Sequence, residues 1–220
     1  MYRIVKRIID FLAALTLLIL LAPILLPIVI ILCFTGEREV FYFQKRIGYK
    51  QSTFDIWKFA TMLKNSPNMG TGSLTLRNDP RVTRIGKFLR ITKLNELPQI
   101  VNVLIGNMSL VGPRPQMKVD FDVYPEHVRE KIYDVPPGIT GIGSVIFRDE
   151  EKLLSETTLP PKEYYAKVIA PYKGELELWY QRNFSFGTDI KIIYLTVLVI
   201  FSPETDMPYR IFKDLPKRNF

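Results

Sequence analysis

The chain is poor in the side chains from which most metal and hydrolytic sites are built. It has one cysteine, Cys33, and one histidine, His127. A single cysteine inside an apolar run excludes a disulfide framework. The lack of any His/Cys cluster argues against a zinc site and against a Cys-His or Ser-His-Asp hydrolase. Any metal would then be held by oxygen, which favours Mg²⁺ or a similar hard cation. Acidic residues are in deficit too: 22 Asp and Glu against 30 Lys and Arg give a formal charge of +8 over 220 residues. That balance points to an anionic partner: nucleic acid, acidic headgroups or a phosphorylated substrate. The length suits one packed domain plus an appendage.

Charge is missing altogether from Phe11 to Gly36, FLAALTLLILLAPILLPIVIILCFTG. As a helix this stretch is about 39 Å long, enough to cross a bilayer. It is longer than the apolar part of a signal peptide, and GEREVFYF follows it where a cleavage site would stand. Pro23 and Pro27 fall near its middle, where each removes a backbone donor and bends the helix. Its flanks are basic on both sides, with Arg3, Lys6 and Arg7 before and Arg38, Lys45, Arg46 and Lys50 after. Basic flanks favour the cytoplasmic face. A helix that enters the membrane, breaks at Ala22-Pro23 and returns to the same face satisfies both facts. A straight, proline-kinked span is the rival. Asp10, at the rim, would pair with Arg7, cap the helix or stay solvated.

Beyond Gly36, VFYFQKRIGYKQSTFDIWKFATM (40–62) alternates apolar and polar residues and predicts short strands or a hairpin. SPNMGTGSLTLRNDP (66–80) is a loop by composition. RVTRIGKFLRITKLNELPQIVNVLIG (81–106) reads as helix, turn, helix, with Leu94, Leu97, Val101 and Leu104 as one buried face. Pro98 fits only the first turn of the second helix, so Asn95 and Glu96 lie at or just before its N-terminus, a natural place for phosphate. VPPGITGIG (135–143) is a rigid turn, and 150–180 looks helical. DIKIIYLTVLVIF (189–201) is an apolar helix too short to span a bilayer; it packs on the body or lies in the interface. Arg77, Arg81, Arg84, Lys87 and Arg90 form a dense basic series that would suit nucleic acid or an anionic membrane; the apolar segment favours the membrane. No nucleic-acid-binding module or aromatic stacking platform is recognisable, so nucleic acid is not expected as a partner.

Several ordered motifs carry a resemblance. KRIID (6–10), QKRIG (44–48), KFATM (58–62), RNDPRVTRIGKFLR (77–90), NELPQIVNVLIGNMSLVGPRP (95–115) and PGITG (137–141) resemble the bacterial sugar transferases, monotopic phosphoglycosyl transferases that start surface-glycan assembly. The likeness runs from about residue 2 to about residue 200. It implies an α+β, mostly helical fold: a re-entrant membrane anchor (1–36) and a small catalytic domain with a short β-hairpin seated on the membrane (37–202); residues 203–220 lie beyond the likeness and read as a C-terminal tail, mobile or in an oligomer contact. It places the catalytic domain on the cytoplasmic face of the bacterial inner membrane, among membrane lipids. The implied reaction transfers a sugar phosphate from a UDP-sugar to a polyprenyl phosphate such as undecaprenyl phosphate, with Mg²⁺ as cofactor and UMP as product. The product would feed an exopolysaccharide, capsule or lipopolysaccharide. The oligomeric state stays open, a homodimer included.

In the family an adjacent Asp-Glu pair does the chemistry: the Asp attacks the β-phosphate and the Glu helps to hold Mg²⁺. Here Glu96 matches the Glu, and Asn95 stands where the resemblance puts the Asp. An amide cannot form the same acyl phosphate, which leaves three readings. Glu96 is the nucleophile, with another oxygen such as Asp189 holding the metal; or the acceptor phosphate attacks directly, with Asn95 donating a hydrogen bond; or catalysis is lost and the chain is a membrane scaffold in a glycan assembly complex. Arg114, stiffened between Pro113 and Pro115, would grip phosphate through a bidentate fork, and Arg90 lies within reach of the same pocket. Ala60 in KFATM stands where many relatives have a basic residue; Lys58 is the candidate to cover that contact. Arg148 is a candidate contact to diphosphate or uridine, and Asp189 a further site residue or a helix cap. His127 reads as an ordinary surface residue.

Overall fold

The computed structural model describes residues 2–69, 79–203, 205–218 and 220. Most of the loop expected over 66–80 lies outside these, and Arg77 with it.

The apolar run folds as one helix, α1 (Tyr2–Phe34), of 33 residues, about 50 Å at the usual rise. The break expected at Ala22-Pro23 is absent: both prolines lie inside the helix. Each proline costs one hydrogen bond to the carbonyl four residues earlier, and packing on both sides carries the helix across. Ala14, Leu18 and Leu21 cluster with Ile56, Ile100, Val103 and Met108. Leu25, Ile28, Val29 and Leu32 cluster with Phe59, Leu89 and Ile85. The three- and four-residue spacing makes a single stripe that faces the body before and after the prolines. The opposite side, with Leu12, Ile19, Leu20, Leu26 and Ile30, is exposed.

The first turns of α1 are fastened by buried charge. Lys6 Nζ lies 2.5 Å from Asp189 Oδ2, and Tyr2 and Tyr180 donate their hydroxyls to the same carboxylate at 2.6 and 2.7 Å. Arg7 donates to the carbonyls of Val103 and Leu104. Asp10 is neither solvated nor paired with Arg7. It is buried, accepts from Ser109 Oγ at 2.7 Å and from the Leu110 N–H at 3.1 Å, and lies 3.8 Å from Lys6.

The hairpin read from residues 40–62 is present as β1 (Phe41–Ile47) and β2 (Thr53–Phe59), antiparallel, with Phe41 opposite Phe59. The helix–turn–helix follows as α2 (Arg84–Ile91), capped by the Thr83 hydroxyl, and α3 (Gln99–Ile105). The buried face of α3 is turned from the one expected. Gln99, Ile100, Asn102 and Val103 are buried, whereas Leu94, Leu97, Val101 and Leu104 are half-buried. The reason is Asn102, whose amide brackets β2 by accepting from the Trp57 N–H and donating to the Asp55 carbonyl.

Two short strands, β3 (Ser109–Val111) and β4 (Gly138–Thr140), pair in parallel, where sequence reading saw only a rigid turn at 135–143. The backbones meet so closely that a β-carbon on Gly138 would sit 2.1 Å from the Gly112 nitrogen. Only glycine fits that crossing. Between these strands lie α4 (Lys118–Phe121) and α5 (Glu126–Arg129); after them come α6 (Ile142–Ile146), α7 (Glu150–Glu156), α8 (Pro161–Tyr164) and α9 (Ala170–Arg182). The apolar helix α10 (Phe186–Phe201) buries Ile192, Leu195 and Val199 and exposes Ile190, Ile193, Tyr194 and Val197.

Residues after Ser202, read from sequence as a tail, pack onto this body. Past α11 (Met207–Ile211), Phe212 and Leu215 join the main core. Asp214 accepts from Trp179 Nε1 at 2.8 Å, and the Tyr172 hydroxyl donates to the Pro216 carbonyl at 2.9 Å. Phe220 meets the Tyr172 ring edge-on at 5.8 Å.

Candidate active site

Asn95 and Glu96 sit in a 3-10 turn, Leu94–Glu96, between α2 and α3. Lys93 opens the turn with φ of 59°, a left-handed conformation that few non-glycine residues adopt and that recurs at functional sites. The turn aims Glu96 at β2. There Lys58 Nζ lies 2.9 Å from Glu96 Oε1, and Arg114 Nη2 approaches the same oxygen at 3.2 Å. Burial works to raise the Glu96 carboxyl, but Lys58 and Arg114 outweigh it and hold the group well below the usual carboxylate range. Burial pushes the Lys58 ammonium down to about 8, against the pull of Glu96. Glu96 in turn raises Arg114. The result is an anion between two cations whose charges stay partly uncompensated.

Asn95 has a different environment. It is 7 % exposed, and its Oδ1 has no hydrogen-bond partner. A buried carbonyl oxygen left this way costs roughly 1–3 kcal/mol, so a ligand that satisfies it gains correspondingly.

Arg114 is positioned by its own backbone. The Tyr133 hydroxyl donates to the Arg114 carbonyl at 2.9 Å and accepts from the Gln116 N–H at 2.8 Å. The Pro115 carbonyl accepts from Arg46. Behind the Arg114 N–H, at 3.5 Å, lies Glu177 Oε1, on a buried carboxyl that burial pushes up to about 7. Gly143 makes room for it, since a β-carbon there would come within 2.3 Å of Oε1. Desolvation, and after it the nearby Arg114 charge, push the half-buried Arg46 guanidinium down to about 10.

Six of the seven residues singled out from the sequence line one open groove: Lys58, Arg90, Asn95, Glu96, Arg114 and Arg148. The seventh does not. Asp189 is turned to the far side of α10, where Tyr2, Lys6 and Tyr180 take up both its oxygens, so it fastens α1 and does not face the groove. Polar side chains of Asp120, Glu150, Tyr165 and Lys173 also line the groove; Lys173 and Glu150 pair at 2.5 Å. Leu17 and Leu21 of α1 and Ile193 and Ile200 of α10 add apolar lining. His127 is on the surface, 2.8 Å from Glu175.

Sequence reasoning gave no place in the site to Arg46, Tyr133 or Glu177. For Arg46 a signal existed: the strand period of two and the pairing of Tyr42 with Lys58 put Arg46 and Lys58 on one face of the hairpin. Tyr133 and Glu177 carry no such mark, because each acts through the Arg114 backbone from a distant helix or turn.

The sequence profile of the bacterial sugar transferases matches residues 1–203. The chain is 36% identical over 198 residues to the UDP-glucose:undecaprenyl-phosphate glucose-1-phosphate transferase of Escherichia coli (strain K12), covering 89% of this chain and 40% of that protein. It is 31% identical over 208 residues to the UDP-N-acetylgalactosamine-undecaprenyl-phosphate N-acetylgalactosaminephosphotransferase of Aeromonas hydrophila, covering 91% and 44%. Against the exopolysaccharide production protein PSS of Rhizobium leguminosarum bv. phaseoli it is 33% identical over 200 residues, covering 89% and 94%. The chain thus spans less than half the length of the first two relatives and nearly all of the third.

Proposed function

The chain belongs to the bacterial sugar transferase family, and from that premise we propose that it transfers a sugar phosphate from a UDP-sugar to a polyprenyl phosphate, releasing UMP. One observation carries the reading. A single groove is lined both by the Lys58–Glu96–Arg114 cluster and by apolar side chains of α1 and α10. A soluble diphosphate donor and a lipid phosphate acceptor need such a groove, charged where the phosphates meet and apolar where the chain leaves. Lys58 and Arg114 neutralise non-bridging phosphate oxygens, and Glu96 keeps the two cations from driving each other apart. Arg90 and Arg148, on the same walls, extend the positive field along the donor.

Mg²⁺ fits the oxygens here. Both cations take Glu96 Oε1, so Oε2 is left to a further ligand, and Asn95 Oδ1 is buried without a partner. Among the described residues no three His, Cys, Asp or Glu converge on a point, so the substrate phosphates would complete the shell, as Mg²⁺ commonly requires. When bound, Mg²⁺ supplies charge neutralisation on the diphosphate.

The exposed apolar sides of α1 and α10 support a seat on the membrane. Both ends of α1 stay with one body: Lys6 and Arg7 at the start bind α10 and α3, and Leu32 near the end packs on Phe59 and Leu89. This supports the reading in which both flanks and the catalytic domain lie on one face of the bilayer, the cytoplasmic face of the bacterial inner membrane. Arg3→Cys and Arg38→Cys, each in a Cys33→Ser background, are expected to react with an impermeant thiol reagent from the same side. Reaction from opposite sides refutes the topology.

The enzyme reading is tested with the full chain in nanodiscs, Mg²⁺, undecaprenyl phosphate and a panel of UDP-glucose, UDP-galactose and UDP-N-acetylgalactosamine. Acceptor-dependent UMP release from at least one donor is expected. No release from a broad panel leaves the chain a membrane scaffold.

Turnover is further expected to fall as pH rises through about 8, where Lys58 loses its proton. Stability moves the other way. The folded value lies below that of the unfolded lysine, so between them the unfolded chain binds the extra proton and unfolding free energy rises with pH. Lys58→Arg, which keeps its charge, shifts the fall in rate to higher pH. A pH–rate profile beside thermal unfolding at each pH checks both directions.

A further inference from the structure

We propose that the segment following α10 is a positioning element for donor binding, and that it acts through Phe220 on the wall of the groove that carries Arg148. The inference rests on the transferase reading above. It adds a part of the chain that the family profile, matched over residues 1–203, does not reach.

The contacts of this segment converge on one ring. Phe147 closes α6 and immediately precedes Arg148, and both residues line the groove. Phe147 is nevertheless only 5 % exposed, because other rings cover it. Tyr172 of α9 meets it edge-on at 5.7 Å, and Phe220 stacks on it at 6.5 Å with the planes 22° apart. Phe220 also meets Tyr172, which closes a cluster of three rings. The Arg218 guanidinium lies 4.6 Å from the centre of the Phe220 ring and holds it from the same segment. Tyr172 is tied there too. Its hydroxyl donates to the Pro216 carbonyl and accepts from the Tyr209 hydroxyl, both at 2.9 Å.

Phe147 passes this bracing to the groove. The chain leaves helical geometry at Phe147, with φ of −102° and ψ of 41°. The packing of its ring therefore fixes the point at which the backbone turns to present Arg148. The Lys173 ammonium, 5.6 Å from the centre of the same ring, pairs with Glu150 on the groove. This wall is thus charged, which suits a diphosphate and not a hydrocarbon. The apolar lining comes instead from α1 and α10. Loss of the brace is therefore felt by the donor and not by the lipid acceptor. The Lys58–Glu96–Arg114 cluster is held independently, by β2, by the 3-10 turn and by Tyr133, so the chemical step is spared.

The test uses the full chain in nanodiscs with a donor that turns over, varying donor and acceptor separately. Phe220 is 44 % exposed, so its replacement removes the stack without opening the core. Phe220→Ala is expected to raise the donor KM by about threefold to tenfold, the worth of an aromatic pair, with kcat and the acceptor KM as in the parent. Phe220→Tyr keeps the ring and restores the donor KM. In an Arg148→Gln background the Phe220→Ala step should change the donor KM by less than about twofold, because the residue through which the brace acts is already gone. Thermal unfolding is measured beside each variant. A lower unfolding midpoint for Phe220→Ala with the parental donor KM marks a purely structural role and overturns the inference. A rise in the acceptor KM in place of the donor KM overturns it too, as does an undiminished effect in the Arg148→Gln background. Each of these results leaves the transferase reading intact. Absence of acceptor-dependent turnover by the parent across the donor panel overturns that reading, and this inference with it.

Discussion

Glu96→Gln reduces acceptor-dependent UMP release by about a hundredfold to a thousandfold, the loss that follows removal of a preorganised charged group from a reacting centre. The size comes from the geometry around Oε1. Lys58 and Arg114 share that oxygen at 2.9 and 3.2 Å, and a neutral amide leaves two half-buried cations facing each other. Burial already depresses Lys58, and removing its counter-ion depresses it further. The variant should therefore fail more severely at pH 8 than at pH 7. Thermal unfolding run in parallel separates this loss from misfolding. Activity within a few-fold of the parent, in a protein of unchanged stability, would remove Glu96 from the chemistry.

The second large effect is on stability. Lys6→Met should destabilise the protein by about 3–5 kcal/mol, the cost of leaving one member of a buried ion pair without its partner. Asp189 keeps two tyrosine hydroxyls, which satisfy its oxygens but not its charge. The double variant Lys6→Met/Asp189→Leu should recover part of the loss, because apolar replacement of both partners removes the stranded charge. Unfolding midpoints in detergent measure both. A single variant within about 1 kcal/mol of the parent would show that the pair is solvated.

What the sequence made legible follows from what periodicity can carry. The hairpin alternates every second residue, and α2, α3 and α10 were legible as helices from their composition, although the buried face of α3 and the start of α10 at Phe186 were not. Lys58, Glu96 and Arg114 were legible because type and setting agree: a lysine on a strand, an acid in a proline-bounded turn, an arginine between prolines. The parallel β3–β4 pair was not, because three-residue strands leave no pattern and their partners lie 29 positions apart, Ser109 opposite Gly138. The continuity of α1 through Pro23 and Pro27 was misjudged because local propensity was set against packing that the sequence does not display. Asp189 was misplaced for a related reason. A carboxylate near the start of an apolar helix looks available until Lys6 is brought to it from the other end of the chain.

That last contact also sets an order of assembly. Lys6 and Asp189 are 183 positions apart, so at ordinary rates of synthesis the ammonium waits on the order of ten to forty seconds for its carboxylate. The start of α1 is translated well before the helix that carries its buried counter-ion. A nascent chain that stops before α10 carries α1 with Lys6 and Asp10 but without Asp189, held only by Arg7, Asp10 and its apolar stripe.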